Sequence, residues 1–159
     1  MIIHPLPSDS TGQTGATHIC ELGFADLTNA SAAQTINIGP TAAKQAWTLV
    51  FARLAQAFVS SDGTLISTTI TVGDTGSATR YLASMEMNAA GSTVFVKAGA
   101  LAWPTGLFVY TSADTLQIAV ACTAAKLLNS HTAGKVLLFL TLEEGRVNQS
   151  STVGGLGNL

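Results

Sequence analysis

Charge is what this sequence has least of. Lys, Arg, Asp and Glu make up 10% of its 159 residues, where an average domain carries roughly a quarter. Disordered chains need many charges and few apolar groups, so a chain that is 47% hydrophobic is expected to be ordered. Seven Lys and Arg residues, spread along a chain of net charge −2, make no basic stripe, so no nucleic-acid partner is expected. Long apolar runs are missing too. "KVLLFLTL" from Lys135 is far short of the roughly 20 residues a bilayer span requires, so no membrane partner is expected. The opening "MIIHPLPSDS" lacks the basic and continuous apolar regions of a signal peptide. Cysteine is scarce, and Cys20 and Cys122 stand outside any C-x-x-C pair. With no export signal, two free thiols are expected rather than a disulfide.

The missing charge also carries positive information. Interface centres are depleted in charge, so a surface of Thr, Ser, Asn, Gln, Ala and Gly suggests a chain covered by its own copies or by a partner. The alternative is a monomer with a neutral, hydroxyl-rich surface. The length suits one domain, and the scaling of surface with mass gives about two-thirds of the unfolded surface buried.

What is present is period two. Ile66, Thr68, Ile70 and Val72 share one face in "LISTTITV". Leu116, Ile118, Val120 and Cys122 do so in "TLQIAVACT", as do Val136, Leu138, Leu140 and Leu142 in "KVLLFLTLEE". That is strand patterning with one buried face. Leu137 and Phe139 interrupt the polar face of the last segment, which suggests that its second face is covered as well. Further strands are predicted at "HICELGFADL", "TINIG", "AWTLVFARLAQAF", "TVFVKA" and "LFVYT". Arg53 falls within an apolar strand and calls for an edge or a carboxylate. "SATRYLASMEMNAAG" alone has helical character, enough for one or two turns. Short strands with close-set turns predict an all-β fold, an antiparallel two-sheet sandwich, jelly-roll-like, with extended N- and C-terminal arms. The divisions are an arm over 1–16, a sandwich over 17–149 and a Gly-rich tail over 150–159.

Asp74-Thr75-Gly76-Ser77 spells D-T-G-S, the tetrapeptide that carries the catalytic carboxylate of aspartic proteases. There two such loops meet and two carboxylates share a proton, which a homodimer of chains this size could supply. The flanks argue otherwise. Gly73 stands where that family carries an apolar residue, and "LEEGR" puts Glu143 and Glu144 where an apolar pair belongs. A tight turn accounts for every letter, with Asp74 or Ser77 capping the backbone locally. No other catalytic pattern is found. His4, His18 and His131 have no ligand spacing, so no metal is expected. Neither G-x-S-x-G nor a phosphate loop occurs. Asp62-Gly63 reads as a hairpin turn, and Asp114 as a turn residue opening a strand. Trp103 in "AWPTG" either anchors a contact or caps one end of the sandwich.

Three stretches in order, "GDTGSATRYLASMEMNAAGS", "VYTSADTLQIAV" and "SHTAGKVLLFLTLEE", resemble small virion structural proteins of tailed bacteriophages, most of all capsid decoration (cement) proteins. The similarity runs from about Gln34 to Glu144. It implies a protein without catalysis or cofactor, made in the host cytoplasm and residing on the virion. Copies, as a homotrimer or else a homodimer, would bind the outer capsid surface and bridge neighbouring major capsid proteins. The interface candidates are Ile2, Ile3 and Leu6 of the first arm, Trp103, and Val153 and Leu156 of the tail. Two alternatives stand beside this: a phage tail, fibre or adhesin module binding a receptor or glycan, and the homodimeric aspartic protease.

Overall fold

The computed structural model describes residues 2–5, 16–88, 95–97, 108–123 and 125–144. These form β1 (Ile2–Pro5), β2 (His18–Gly23), β3 (Ala33–Thr41), β4 (Gln45–Ser60), β5 (Thr68–Asp74), β6 (Ser77–Glu86), β7 (Phe95–Lys97), β8 (Asp114–Cys122) and β9 (His131–Glu144). No α-helix occurs among the described residues; two single 3-10 turns cover Phe24–Asp26 and Leu128–Ser130. The alternation works as predicted within β8 and β5, but Ile66, expected on the buried face of β5, precedes the strand and is exposed. In β8, Leu116, Ile118 and Val120 are buried, and their neighbours Gln117 and Ala119 are half-exposed.

All pairings are antiparallel, and they nest. β2 pairs with β9, β3 with β8, β4 with β7 and β5 with β6. A chain so paired is one long hairpin rolled up on itself, which is the jelly roll. It yields a five-stranded sheet, β1-β2-β9-β4-β7, and a four-stranded sheet, β3-β8-β5-β6. Between them lies a core of Cys20, Leu22, Leu49, Leu54, Phe58 and Leu138 from one sheet against Ile70, Val72, Leu82, Ile118 and Val120 from the other. Each large apolar side chain buried this way contributes about 1.5–3 kcal/mol. Gly134 makes room for one of them. Its φ is +138°, and an added Cβ would stand 2.7 Å from Cδ2 of Phe58.

Three local expectations need correction. Ser77–Glu86 is a strand, not helical turns, because bulges against β5 break its alternation and bring Tyr81 and Leu82 inward together. Asp62-Gly63 is no hairpin turn, because β4 and β5 belong to different sheets and the loop crosses between them. "LFVYT" is not a full strand: among its described residues only Val109 makes a single bridge, to Ala46. Of the segment expected as an N-terminal arm, Ile2–Pro5 pairs with β2 as the edge of the five-stranded sheet.

Candidate functional site

The D-T-G-S stretch is the tip of the β5–β6 hairpin, with Asp74 opposite Ser77. Gly73 is what lets the hairpin close. A Cβ there would overlap the carbonyl oxygen of Ser77 and stand 2.7 Å from that of Ala78. Asp74 itself turns inward, its side chain wholly buried. Its Oδ1 accepts from the Ser77 N–H at 2.7 Å and from Arg80 Nη2 at 3.3 Å. Its Oδ2 accepts from Arg80 Nε and from the Tyr110 hydroxyl, the latter at 2.8 Å. A carboxylate offers about four acceptor sites, and here four donors meet them.

The network extends outward in order. Tyr110 donates to a carboxylate that can only accept, so the Tyr81 hydroxyl, 2.6 Å away, donates to Tyr110. Burial pushes the Tyr81 phenol up to about 12, and burial with the bonds to Tyr81 and Asp74 raises Tyr110 as well. Burial pulls the Arg80 guanidinium downward, but its bond and charge pairing with Asp74 leave it raised. Arg80 also lies over the Phe108 ring at 3.6 Å, and Phe108 meets Tyr110 edge-on at 5.0 Å. The hairpin tip is tied down a second time. Thr75 N–H donates to the Thr115 carbonyl at 3.2 Å, and the Thr75 hydroxyl, followed by the Thr115 N–H, lowers the pKa of Asp114. Chemically this arrangement holds an ionised carboxylate in place and joins β6 to residues 108–110. It leaves Asp74 no acceptor site for activating a water.

Two other polar centres hold the fold in the same manner. Glu86 accepts from the Ser67 hydroxyl at 2.6 Å and from the N–H groups of Thr68, Met87 and Asn88 at 3.0–3.1 Å. Its burial opposes ionisation, but those donors lower its pKa overall. His131 is buried between the sheets. The Leu128 carbonyl, 2.7 Å from Nδ1, can only accept, so in the neutral ring Nδ1 carries the proton and Nε2 accepts from Thr68 at 2.9 Å. His18 lies half-buried at the Trp47 ring, 5.1 Å between centroids, and His4 is exposed on β1. The three histidines are thus on separate strands and share no partner among the described residues. Both cysteines are free, Cys20 on β2 with burial raising its thiol to about 12, Cys122 on β8 raised by the same cause.

The two outer faces differ in chemistry. On the four-stranded sheet the register aligns Thr35, Ala119 and Thr71 in one row, with Asn37, Gln117 and Gly73 in the next. Gln117 Nε2 donates to Asn37 across that face at 3.1 Å. No charged residue stands in these rows. On the five-stranded sheet Ile19, Phe139 and Phe51 form a row of half-buried apolar side chains, the two rings stacked at 4.1 Å. The adjacent row holds Glu21, Leu137 and Arg53, with both charged residues exposed. The exposure of Arg53 follows from its place on this outer face. Of the sequence-derived interface candidates, Ile2 and Ile3 lie in β1. Leu6, Trp103, Val153 and Leu156 fall outside the described residues. Sequence reading missed Arg80 and Tyr110 as partners of Asp74, because Tyr110 reaches the hairpin from a distant part of the chain.

Comparison with protein-family models, curated proteins and solved structures finds no match to this chain.

Proposed function

We propose that the chain is a non-enzymatic structural protein of a bacteriophage virion. It binds the outer surface of the capsid as a decoration protein, and a small homo-oligomer, trimer or dimer, bridges neighbouring major capsid subunits. The fold by itself selects no function, since jelly rolls serve capsid, lectin and cupin domains alike. The observation that carries the reading is the distribution of polar chemistry. Asp74 is saturated by donors of the chain's own, Glu86 accepts from one hydroxyl and three backbone N–H groups, and His131 is bonded at both ring nitrogens. The outer face of the four-stranded sheet, by contrast, offers uncharged rows of Thr, Ala, Asn, Gln and Gly, and that of the five-stranded sheet an apolar row of Ile19, Phe139 and Phe51, the composition of protein contacts rather than of a reaction centre. The resemblance of residues 34–144 to cement proteins points the same way. Modest contacts repeated around a symmetric shell supply strength through avidity.

The test is co-sedimentation of the purified protein with DNA-free shells of the same phage. Saturable binding at a fixed number of copies per shell is expected. A protein that stays in the supernatant, or that binds glycans on an array and loses them in Trp103→Ala, would overturn the reading. Acid-pH peptide cleavage abolished by Asp74→Asn would overturn it in favour of a protease.

A further inference from the structure

Alternation puts Cys20, Leu22, Ala52, Leu54, Leu138 and Leu140 into the core, so the residues between them share the opposite, outer face. There β9 runs down the middle, with β2 on one side and β4 on the other. We infer that a second copy of this chain packs on that face, about a two-fold axis running along β9. Such an axis exchanges the β2 side of one copy with the β4 side of the other. It sets Phe139 against the partner's Phe139 and Ile19 against the partner's Phe51. In the next row it sets Leu137 on its counterpart and Glu21 opposite the partner's Arg53.

Charge complementarity selects both the occupant and the axis. The acid on β2 and the base on β4 flank Leu137 in one register row, Glu21↔Leu137↔Arg53. A copy turned about β9 meets both of these charges with their opposites. A copy turned about an axis across the strands, centred on that row, meets Glu21 with Glu21 and loses the match. By the same alternation Glu143 falls on the chosen axis at one rim and Lys135 at the other. Lys135 lies two outward positions beyond Phe139, ~14 Å along the strand, and its Nζ is bonded to Glu21 of its own chain at 2.7 Å. Scale and symmetry agree. Five strands at ~4.8 Å spacing make a face ~20 Å across, fit for a contact approaching ~800 Å² per partner. Two-fold, self-complementary contacts are the commonest in homo-oligomers. The outer face of the other sheet has no such pairing of charges.

The inference rests on this face alone and not on the capsid reading. Its test is the mass of the full chain by light scattering across a dilution series, with circular dichroism as the check on folding. Wild type is expected as a dimer, and Phe139→Glu should weaken it by about tenfold or more. Glu21→Arg and Arg53→Glu should each weaken the dimer, and the two together should recover part of the loss, since the pair is then exchanged rather than broken. Both positions are exposed, so this cycle stands even where Phe139→Glu fails to fold. A wild-type trimer or monomer at every concentration overturns the inference, as does a double variant no tighter than the weaker single one. A trimer would overturn this face and leave the capsid reading intact.

Discussion

Two aspartates sit in loops spelled from the same letters, Asp74 in D-T-G-S and Asp62 in S-D-G-T. Each accepts from a nearby backbone N–H, from a hydroxyl and from a cation. For Asp74 these are Ser77, Tyr110 and Arg80. For Asp62 they are the N–H and hydroxyl of Thr64 and the Lys126 ammonium, at 3.0, 2.6 and 3.2 Å. What separates them is water. The Asp74 side chain is 0% exposed and that of Asp62 is 36% exposed. Thr64 first, then Lys126, holds the Asp62 carboxyl down to about 2, but an exposed carboxylate that loses its partners is rehydrated. A buried one is not, and its partners are left unpaired in low dielectric. The same letters therefore make a trivial turn in one place and a structural keystone in the other.

The glycines sharpen this contrast most. Gly73→Ala forces a Cβ into the backbone of Ser77 and Ala78 and should cost about 3 kcal/mol or more, or abolish folding. Gly63→Ala meets nothing within 4 Å and should leave the urea midpoint unchanged. Equal midpoints for the two would break the comparison. Next in size, Tyr110→Phe removes one donor from Asp74 and the acceptor of Tyr81, for about 1–2 kcal/mol by denaturant titration. Thr64→Val, beside exposed Asp62, should show no comparable shift. Smallest is Glu86→Gln, at about 1 kcal/mol or less near neutral pH. Because the folded pKa of Glu86 lies below the ordinary 4.5, its stabilisation is full above that value. It is lost as pH falls through the lowered folded value. The gap between wild type and Glu86→Gln should therefore close on acidification, and a gap that widens would contradict the assignment.

Much of the fold was legible because alternation is a local property. Leu116, Ile118 and Val120 declare a strand with one buried face, and the tip at Asp74–Ser77 declares a turn. β6 was not legible, because its bulges bring Tyr81, Leu82 and Met85 inward at a spacing that imitates a helix. The crossing of Asp62-Gly63 between sheets was hidden for another reason: a turn looks alike whether its strands pair with each other or part. The Asp74 site was half legible. Its letters marked a turn, and nothing local could show that Arg80 would lie back across the tip or that Tyr110 would arrive from another loop. The outer face left a trace, since Leu137 and Phe139 broke the polar side of β9. Its matching charges became visible only when the register aligned Glu21 and Arg53 on either side.

The central claim, that the D-T-G-S carboxylate holds the fold together, is tested most directly by urea denaturation of Asp74→Asn beside Asp62→Asn. Asparagine keeps the shape of each side chain and removes its charge. The account predicts a loss of about 3 kcal/mol at Asp74, where Arg80 and the Ser77 N–H lose a buried ionised acceptor, and no resolvable change at Asp62. An Asp74→Asn protein as stable as wild type would contradict it, because a carboxylate spared by the fold would be free for chemistry.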